Sequence, residues 1–264
     1  MNRVIPGILM VTGWLLLLFL GTVELFWGIA ILGTILALHE FFRMVMPKLS
    51  GMSLYLVIGC CQLPVLATYF GRNDVVLAGV MFGLLAIAAL GLYWFGKVND
   101  VLGYVTACGF SLLYIALCLA HIALIRHLPD GEFWLTMLVG IVAGSDTGAY
   151  YAGRAFGKRK LFPVISPKKT GAGVIGGVCA GVIAAEIINL LLLKMADPLV
   201  LAIAATGLVG IGIAGDLTES MIKRSAGVKD SGTILFGHGG ILDRIDSLLL
   251  AGPVLYYLLY FGIL

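Results

Sequence analysis

Long apolar stretches follow one another along almost the entire 264-residue chain. Each is close to the roughly 20 residues that a helix needs to cross about 30 Å of hydrocarbon. Inside a bilayer, a single segment can satisfy its own backbone N–H and C=O groups only as a helix. The pattern predicts an all-α polytopic membrane protein with about nine transmembrane helices. The predicted spans are residues 4–20, 22–42, 52–70, 75–96, 102–125, 133–153, 173–194, 198–215 and 247–264.

The basic residues are distributed unequally between the two sides of these spans. If the N-terminus is cytoplasmic, fourteen of the 17 Lys and Arg residues face the cytoplasm, and only Arg72, Arg126 and Lys194 face outward. Because short cytoplasmic loops are enriched in Lys and Arg, we expect a cytoplasmic N-terminus. An odd number of spans then places the C-terminus outside. The formal charge of +3 is too small to indicate a nucleic-acid partner.

Hydrophobic residues make up 61% of the chain, which excludes an ordinary soluble domain. We expect residues 1–130 to form an N-terminal transmembrane scaffold of about five helices. Residues 131–264 would form a catalytic transmembrane region with cytoplasmic loops at 154–172 and 216–246. Within the scaffold, the pair His39-Glu40 at the cytoplasmic end of the second span is interpreted as a polar helix end. A charged side chain at the depth of the membrane interface costs little free energy.

The densest polar segment of the chain runs from Asp216 to Asp246. Asp243 and Asp246 are three residues apart, so a helix would project both from one face. Asp216 and Glu219 share that spacing at a second predicted helix. Close carboxylates repel one another unless a cation lies between them, and oxygen ligands suit Mg²⁺. Acidic groups that hold a metal beside basic groups that hold anions indicate phosphoryl or nucleotidyl transfer.

A second polar segment begins inside the sixth predicted span, at Asp146. A carboxylate at that depth is costly and is usually functional. The loop that follows contains Ser166-Pro167-Lys168-Lys169-Thr170 directly before a glycine-rich helix start. Ammonium groups, hydroxyls and unpaired backbone N–H groups in such a loop suit a phosphate. Glycines 173, 177 and 181 have the spacing of close helix packing, and we prefer that role to phosphate binding.

These two segments closely resemble the signature of the phosphatidate cytidylyltransferase (CDP-diacylglycerol synthase) family. Asp146 to Lys158 resembles the family's D-T-x-A-Y-x-x-G-R-x-F-G-K stretch, which leads into S-P-K-K-T. Two positions depart: Phe236 replaces a small turn residue or Pro, and Gly171-Ala172 replaces an aromatic residue and Glu. The longer match covers Ser220, Ile222, Lys223, Arg224, Lys229, Asp230, Gly232, Leu235, His238, Gly239, Gly240, Asp243, Arg244 and Asp246.

The resemblance implies transfer of CMP from CTP to phosphatidic acid, which yields CDP-diacylglycerol and pyrophosphate during phospholipid biosynthesis. It further implies a bacterial-type plasma (inner) membrane, with the active site facing the cytoplasm. We expect Mg²⁺ as the cofactor, with a second metal or a monovalent cation left open. The predicted metal ligands are Asp216, Asp243 and Asp246.

The remaining predicted site residues divide into two sets. The basic members would clamp the triphosphate and the lipid phosphate, and His238 would donate to phosphate rather than act as a base. Asp146 would contact the metal or position a lysine, and Asp230 would orient Lys229 or Arg224. The catalytic set is Asp146, Lys168, Lys169, Lys223, Arg224, Lys229, Asp230 and His238. The substrate-binding set is Ser166, Thr170, Ser220, Gly239, Gly240 and Arg244.

Several alternatives remain open at the level of sequence. A related CTP-dependent membrane enzyme, either an ether-lipid cytidylyltransferase or a polyprenol kinase, would use another lipid. An ion-coupled transporter would use Asp146, Glu186 and the acidic segment as an ion path, although no inverted repeat of broken spans is visible. The two departures also leave a catalytically impaired homologue open. The glycine-lined spans leave open a homodimer.

Overall fold

The computed structural model describes residues 4–96, 100–194, 196–232 and 239–264, and these residues are mostly helical. A 3-10 turn, Thr68–Phe70, follows α4, and π-helical turns at Leu112–Leu117 and Asn189–Leu193 follow α6 and α9. The helices are α1 (Val4–Leu20), α2 (Val23–Val45), α3 (Gly51–Cys61), α4 (Leu63–Ala67), α5 (Asn73–Trp94), α6 (Val101–Ser111), α7 (Cys118–Ile125), α8 (Gly131–Phe156), α9 (Gly171–Ile188), α10 (Pro198–Ser225) and α11 (Leu242–Tyr260).

Every predicted apolar stretch is helical, so the helical class is confirmed. Among the described residues, five helices are long and apolar enough to cross a membrane, or six if the bent pair α3 and α4 with its 3-10 turn counts as one span. That pair bends by 41°, just before Pro64, which cannot donate a backbone hydrogen bond. Nine spans and the predicted orientation of the termini stay predictions. The five helices that are long and apolar enough to cross a membrane are Val23–Val45, Asn73–Trp94, Val101–Ile125, Gly171–Leu192 and Pro198–Ser225.

The remaining three predicted spans fall on α1, α8 and α11. Helix α1 has only 17 residues. Helix α8 carries Asp146 and Arg154, and α11 opens with Asp243, Arg244 and Asp246. Charged residues lower the mean hydropathy of these last two helices, and these charges include predicted site residues.

Two buried apolar clusters hold the helices together. The first includes Phe26 of α2, Leu138 of α8 and Leu255 of α11. The second includes Phe42 of α2 and Leu249 of α11. Both clusters therefore join residues from before and after position 130, and the division into scaffold and catalytic region at that position stays a prediction.

The predicted loop 154–172 contains the described strands of this fold, which form an antiparallel hairpin. Strand β1 (Lys160–Phe162) pairs with β2 (Ser166–Thr170), and Phe162 lies opposite Ser166. This hairpin is a correction to the prediction of helices and loops alone. It joins α8 to α9 and fixes the Lys168-Lys169 backbone in an extended form.

Helices α8 and α9 pack closely because small residues line their contact. A Cβ atom added to Gly177 would lie 2.9 Å from Ser145 Oγ and 3.1 Å from the Ser145 carbonyl oxygen. A Cβ atom would fit there only if Ser145 shifted, so glycine permits the close approach of the two helices. The predicted packing role of the α9 glycines is confirmed, and the close contact brings Ser145 and Asp146 beside the start of α9.

Helices α10 and α11 also meet backbone to backbone, at Gly215 and Asp246. A Cβ atom on Gly215 would collide with the carbonyl oxygen of Asp246. Tyr114, in the π-helical turn after α6, donates a 3.3 Å hydrogen bond to the Gly215 carbonyl. The carboxylates of Asp216 and Asp246 are thereby held on neighbouring helices.

Candidate active site

A cavity of about 290 Å³ opens where α8, β2, the start of α9 and α10 meet. Polar side chains from α8, β2 and α10 line it, together with Ser247 of α11. Six residues predicted from the sequence to belong to a site are among its lining. They are Asp146, Ser166, Lys168, Lys169, Thr170 and Asp216.

Lys169 is the basic group most firmly fixed in this cavity. Its Nζ lies 2.8 Å from Asp216 Oδ2 and donates a 3.3 Å hydrogen bond to the Ile213 carbonyl. Thr170, the next residue, ends β2 and caps α9, because its Oγ1 accepts the Gly173 N–H at 3.1 Å. The cap fixes the end of β2 and therefore the direction in which Lys169 leaves the hairpin.

Two carboxylates, Asp146 and Asp216, line this cavity, and the carboxylate of Asp246 is close enough to interact electrostatically with both. Asp146 of α8 and Asp246 of α11 both interact electrostatically with Asp216 of α10. Asp216 Oδ1 also accepts a 3.2 Å hydrogen bond from Ser220 Oγ, one helical turn later. Converging carboxylate oxygens are the donor set that Mg²⁺ prefers. Within the described ranges, however, no three His, Cys, Asp or Glu side chains are already arranged around a metal position.

Asp243 lies in a different environment from these three carboxylates. Lys223 Nζ lies 2.5 Å from its Oδ1, and its Oδ2 accepts the N–H groups of Ser231 at 3.0 Å and Gly240 at 2.9 Å. Burial alone would raise the pKa of Asp243, but these donors outweigh it and lower the pKa to about 2. Because both oxygens already accept hydrogen bonds, Asp243 acts here as an anchor for the loop. Its role as a metal ligand stays a prediction.

Lys223 joins this anchor to α10. It forms ion pairs with Asp243 and with Glu219, which is fully buried one helical turn earlier. The predicted substrate contact of Lys223 would require it to leave two carboxylates. In this structure Lys223 therefore links α10 to the start of α11, whereas Lys168 and Lys169 line the cavity itself.

The remaining predicted residues that the structure describes do not line this cavity. Arg224, Lys229, Asp230 and Arg244 are exposed, and Arg224 donates to the Val228 carbonyl at 3.3 Å. Gly239 has φ +82°, a backbone conformation suited to glycine, and Gly240 donates to Asp243. His238 and the departure at Phe236 lie outside the described residues, as does Leu235 of the sequence signature.

Glu40 is the residue that sequence reasoning missed. The sequence was interpreted as a polar helix end, but Glu40 is only 3% exposed and its carboxylate binds the residues at the start of α11. Its oxygens accept hydrogen bonds from Ser231, Ile241 and Leu242. A carboxylate that follows a long apolar run of α2 was the available signal, and its proximity to the predicted span end concealed it.

The helices long and apolar enough to cross a membrane and the pocket of acidic and basic groups define a class, a helical membrane protein with a polar pocket. More narrowly, the chain belongs to the cytidylyltransferase family, whose model matches residues 1–261.

Three relatives with similar sequences are each named phosphatidate cytidylyltransferase. The one from Bacillus subtilis is 34% identical over 98% of this chain and 97% of its own length. The Pseudomonas aeruginosa relative is 40% identical over 64% of this chain and 60% of its own length. The Haemophilus influenzae relative is 46% identical over 50% of this chain and 47% of its own length. The match therefore extends over nearly the whole length of the first relative and about half to three fifths of the other two.

Proposed function

We propose that this protein transfers CMP from CTP to phosphatidic acid, producing CDP-diacylglycerol and pyrophosphate. The observation that carries the proposal is the pocket in which Lys168 and Lys169 face Asp146 and Asp216. Membership of the cytidylyltransferase family and the names of the relatives support these substrates.

The reaction joins two anions, so charge is its main obstacle. A phosphate oxygen of phosphatidic acid forms a bond to the α-phosphorus of CTP, and the bond from that phosphorus to the bridging oxygen of the β-phosphate breaks. Pyrophosphate leaves with that oxygen and its electron pair. The attacking oxygen is already deprotonated, so no strong general base is required. The protein's task is positioning and electrostatic stabilisation.

Lys168 and Lys169 are the groups best placed to bind phosphate oxygens. Lys168 is exposed at the cavity, and Lys169 is oriented by Asp216 and by the Ile213 carbonyl. Ser166 and Thr170 line the same cavity and are half-buried and buried, respectively. The extended strand that contains these residues offers ammonium and hydroxyl donors along one edge of the cavity.

We propose Mg²⁺ as the cofactor and Asp146, Asp216 and Asp246 as the residues that would hold it. Their mutual electrostatic repulsion would be relieved by a cation, which supports this choice. Asp216, like Asp243, would exchange one of its present partners for the metal. When bound, the metal would neutralise charge on the phosphate oxygens.

The membrane setting suits a lipid acceptor. Apolar helices carry the site, Lys168 and Lys169 of the hairpin line it, and Arg224 and Lys229 are exposed near the end of α10 and just after it. Phosphatidic acid could then approach within the bilayer and CTP from the aqueous phase. We propose a bacterial plasma (inner) membrane with the cavity on the cytoplasmic side, where basic residues also attract anionic headgroups.

The test uses purified protein in detergent with phosphatidic acid, Mg²⁺ and CTP that contains ³²P in either the α or the γ position. Cytidylyl transfer predicts that α label enters the lipid fraction while γ label is released as pyrophosphate. Transfer of γ label to lipid would indicate a kinase instead. Absence of both products with folded protein and every lipid acceptor would overturn the proposal, and ion flux into liposomes without CTP would favour a transporter.

A further inference from the structure

We infer that Glu40 of α2 is a positioning residue for the reaction, because it sets the geometry of the loop that ends at α11. This inference rests on the proposed function. Glu40 lies far from the cavity in sequence and belongs to the part of the chain predicted to be scaffold. It is 3% exposed, so its carboxylate is enclosed by protein.

Three donors converge on this carboxylate. Glu40 Oε1 accepts the Ile241 N–H at 3.0 Å, and Oε2 accepts the Leu242 N–H at 3.0 Å. Ser231 Oγ donates to Oε2 at 3.1 Å. A buried carboxylate is costly unless it is hydrogen-bonded, and here backbone and hydroxyl groups supply the bonds. Among the described residues, no Lys or Arg forms an ion pair with Glu40.

Two of those donors lie at the start of α11, where a helix leaves N–H groups without partners. The residue in the N-cap position is Ile241, whose side chain cannot accept a hydrogen bond. Glu40 therefore performs from another helix the capping that the local sequence lacks. The negative charge also lies favourably beside the positive end of the helix dipole.

The neighbouring glycines show that this contact is built into the loop. A Cβ atom on Gly232 would lie 2.6 Å from Glu40 Oε1, and one on Gly240 would collide with Oε2. Side chains at either position would push the loop off Glu40. The residues on both sides of the segment 233–238 therefore contact one carboxylate.

Asp243 holds the same backbone through other atoms. Its Oδ2 accepts the N–H groups of Ser231 and Gly240, while Glu40 binds Ser231 Oγ and the next two N–H groups after Gly240. Asp246 follows Asp243 by one helical turn and interacts electrostatically with the cavity residues Asp216 and Asp146. Glu40 thus sets the start and direction of the helix that carries Asp246.

The test is Glu40→Gln in the full-length protein, with Glu132→Gln as the matched control. Glutamine is nearly the same size but places an amide N–H group against a donor, so at least one loop hydrogen bond is lost. Glu132 is a partly buried glutamate that pairs with Arg126 instead of the residues at the start of α11. Two quantities are measured: hydrogen–deuterium exchange of the peptide covering residues 239–246, and kcat per folded molecule.

For Glu40→Gln we expect faster exchange in residues 239–246 and a fall in kcat on the order of 100-fold, because small misplacements of catalytic groups have effects of that size. The control is expected to match the wild type in both measurements. Wild-type exchange in Glu40→Gln would overturn the inference. Faster exchange with unchanged kcat per folded molecule would also overturn it, since Glu40 would then be only structural. If the wild type makes no CDP-diacylglycerol, the proposed function fails while the exchange result still tests the contact.

Discussion

Lys169 and Asp216 form an ion pair, with 2.8 Å between Nζ and Oδ2, that ties the hairpin after α8 to α10. The pair joins the two polar segments that stood out in the sequence, which are otherwise separated by α9. It places an ammonium group directly beside the acidic cluster. A phosphate bound by Lys169 would therefore lie next to any cation held by Asp216.

Replacement of Lys169 by Met should lower kcat/KM for CTP on the order of 100-fold, because the substitution removes a fixed positive charge at the cavity. The unpaired Asp216 would add to the repulsion of the anionic substrate. Steady-state kinetics with varied CTP measure the effect. Lys158→Met is the control, since Lys158 is an exposed lysine of the same connection that does not line the cavity. Equal losses of kcat/KM in both variants would show that this constant depends on the net charge of the loop rather than on the position of Lys169.

Asp243→Asn and Asp246→Asn should differ in their effects on stability and on transfer activity. Asp243 accepts three hydrogen bonds, so its loss should lower the free energy of unfolding by about 1–3 kcal/mol. Asp246 lies among like charges, so Asp246→Asn should retain the wild-type stability or exceed it while losing transfer activity. Thermal unfolding in detergent and the transfer assay separate the two effects. A stable Asp243→Asn variant that no longer responds to Mg²⁺ would instead restore Asp243 as a metal ligand.

Removal of divalent metal should abolish transfer, and added Mg²⁺ should restore it. A ligand that binds only the folded state also stabilises it, so Mg²⁺ should raise the unfolding temperature of the wild-type protein. The shift should disappear in Asp216→Asn, because Asp216 interacts electrostatically with both Asp146 and Asp246. An equal Mg²⁺ shift in wild type and variant would place the metal elsewhere.

The contact between α8 and α9 should not tolerate a larger side chain. Gly177→Leu would force the helices apart at Ser145, and we expect a loss of about 1–3 kcal/mol in the free energy of unfolding. Gly207→Leu is the matched control, because nothing lies within 4 Å of its Cβ position on α10. Thermal unfolding of the two variants in the same detergent compares them. Similar stability of both would contradict the close packing described for α8 and α9.

Much of this fold could be predicted from the sequence because the dominant physical constraint is the bilayer. Apolar length predicts helices, and the bend before Pro64 follows from proline chemistry. The hairpin at 160–170 could not be predicted from apolar length, because its pairing depends on how α8 and α9 place the two ends of the connection.

The site was predictable where its residues are close in the chain and was missed where a distant helix contributes. The spacing of Asp243 and Asp246 correctly predicted a shared helix. Spacing does not reveal that Lys223 and two backbone N–H groups donate hydrogen bonds to the Asp243 carboxylate. Glu40 is some 200 positions from its partners Ile241 and Leu242. Only tertiary packing brings these residues together.

The most direct test of the proposed reaction is transfer of α-³²P label from CTP to phosphatidic acid by three folded proteins side by side: wild type, Asp216→Asn and Glu132→Gln. We predict labelled CDP-diacylglycerol from the wild type and from Glu132→Gln, with a loss on the order of 100-fold or more in Asp216→Asn. Wild-type rates in Asp216→Asn would contradict the assignment of the reaction to this cavity, and no labelled lipid from the folded wild type would contradict the reaction itself.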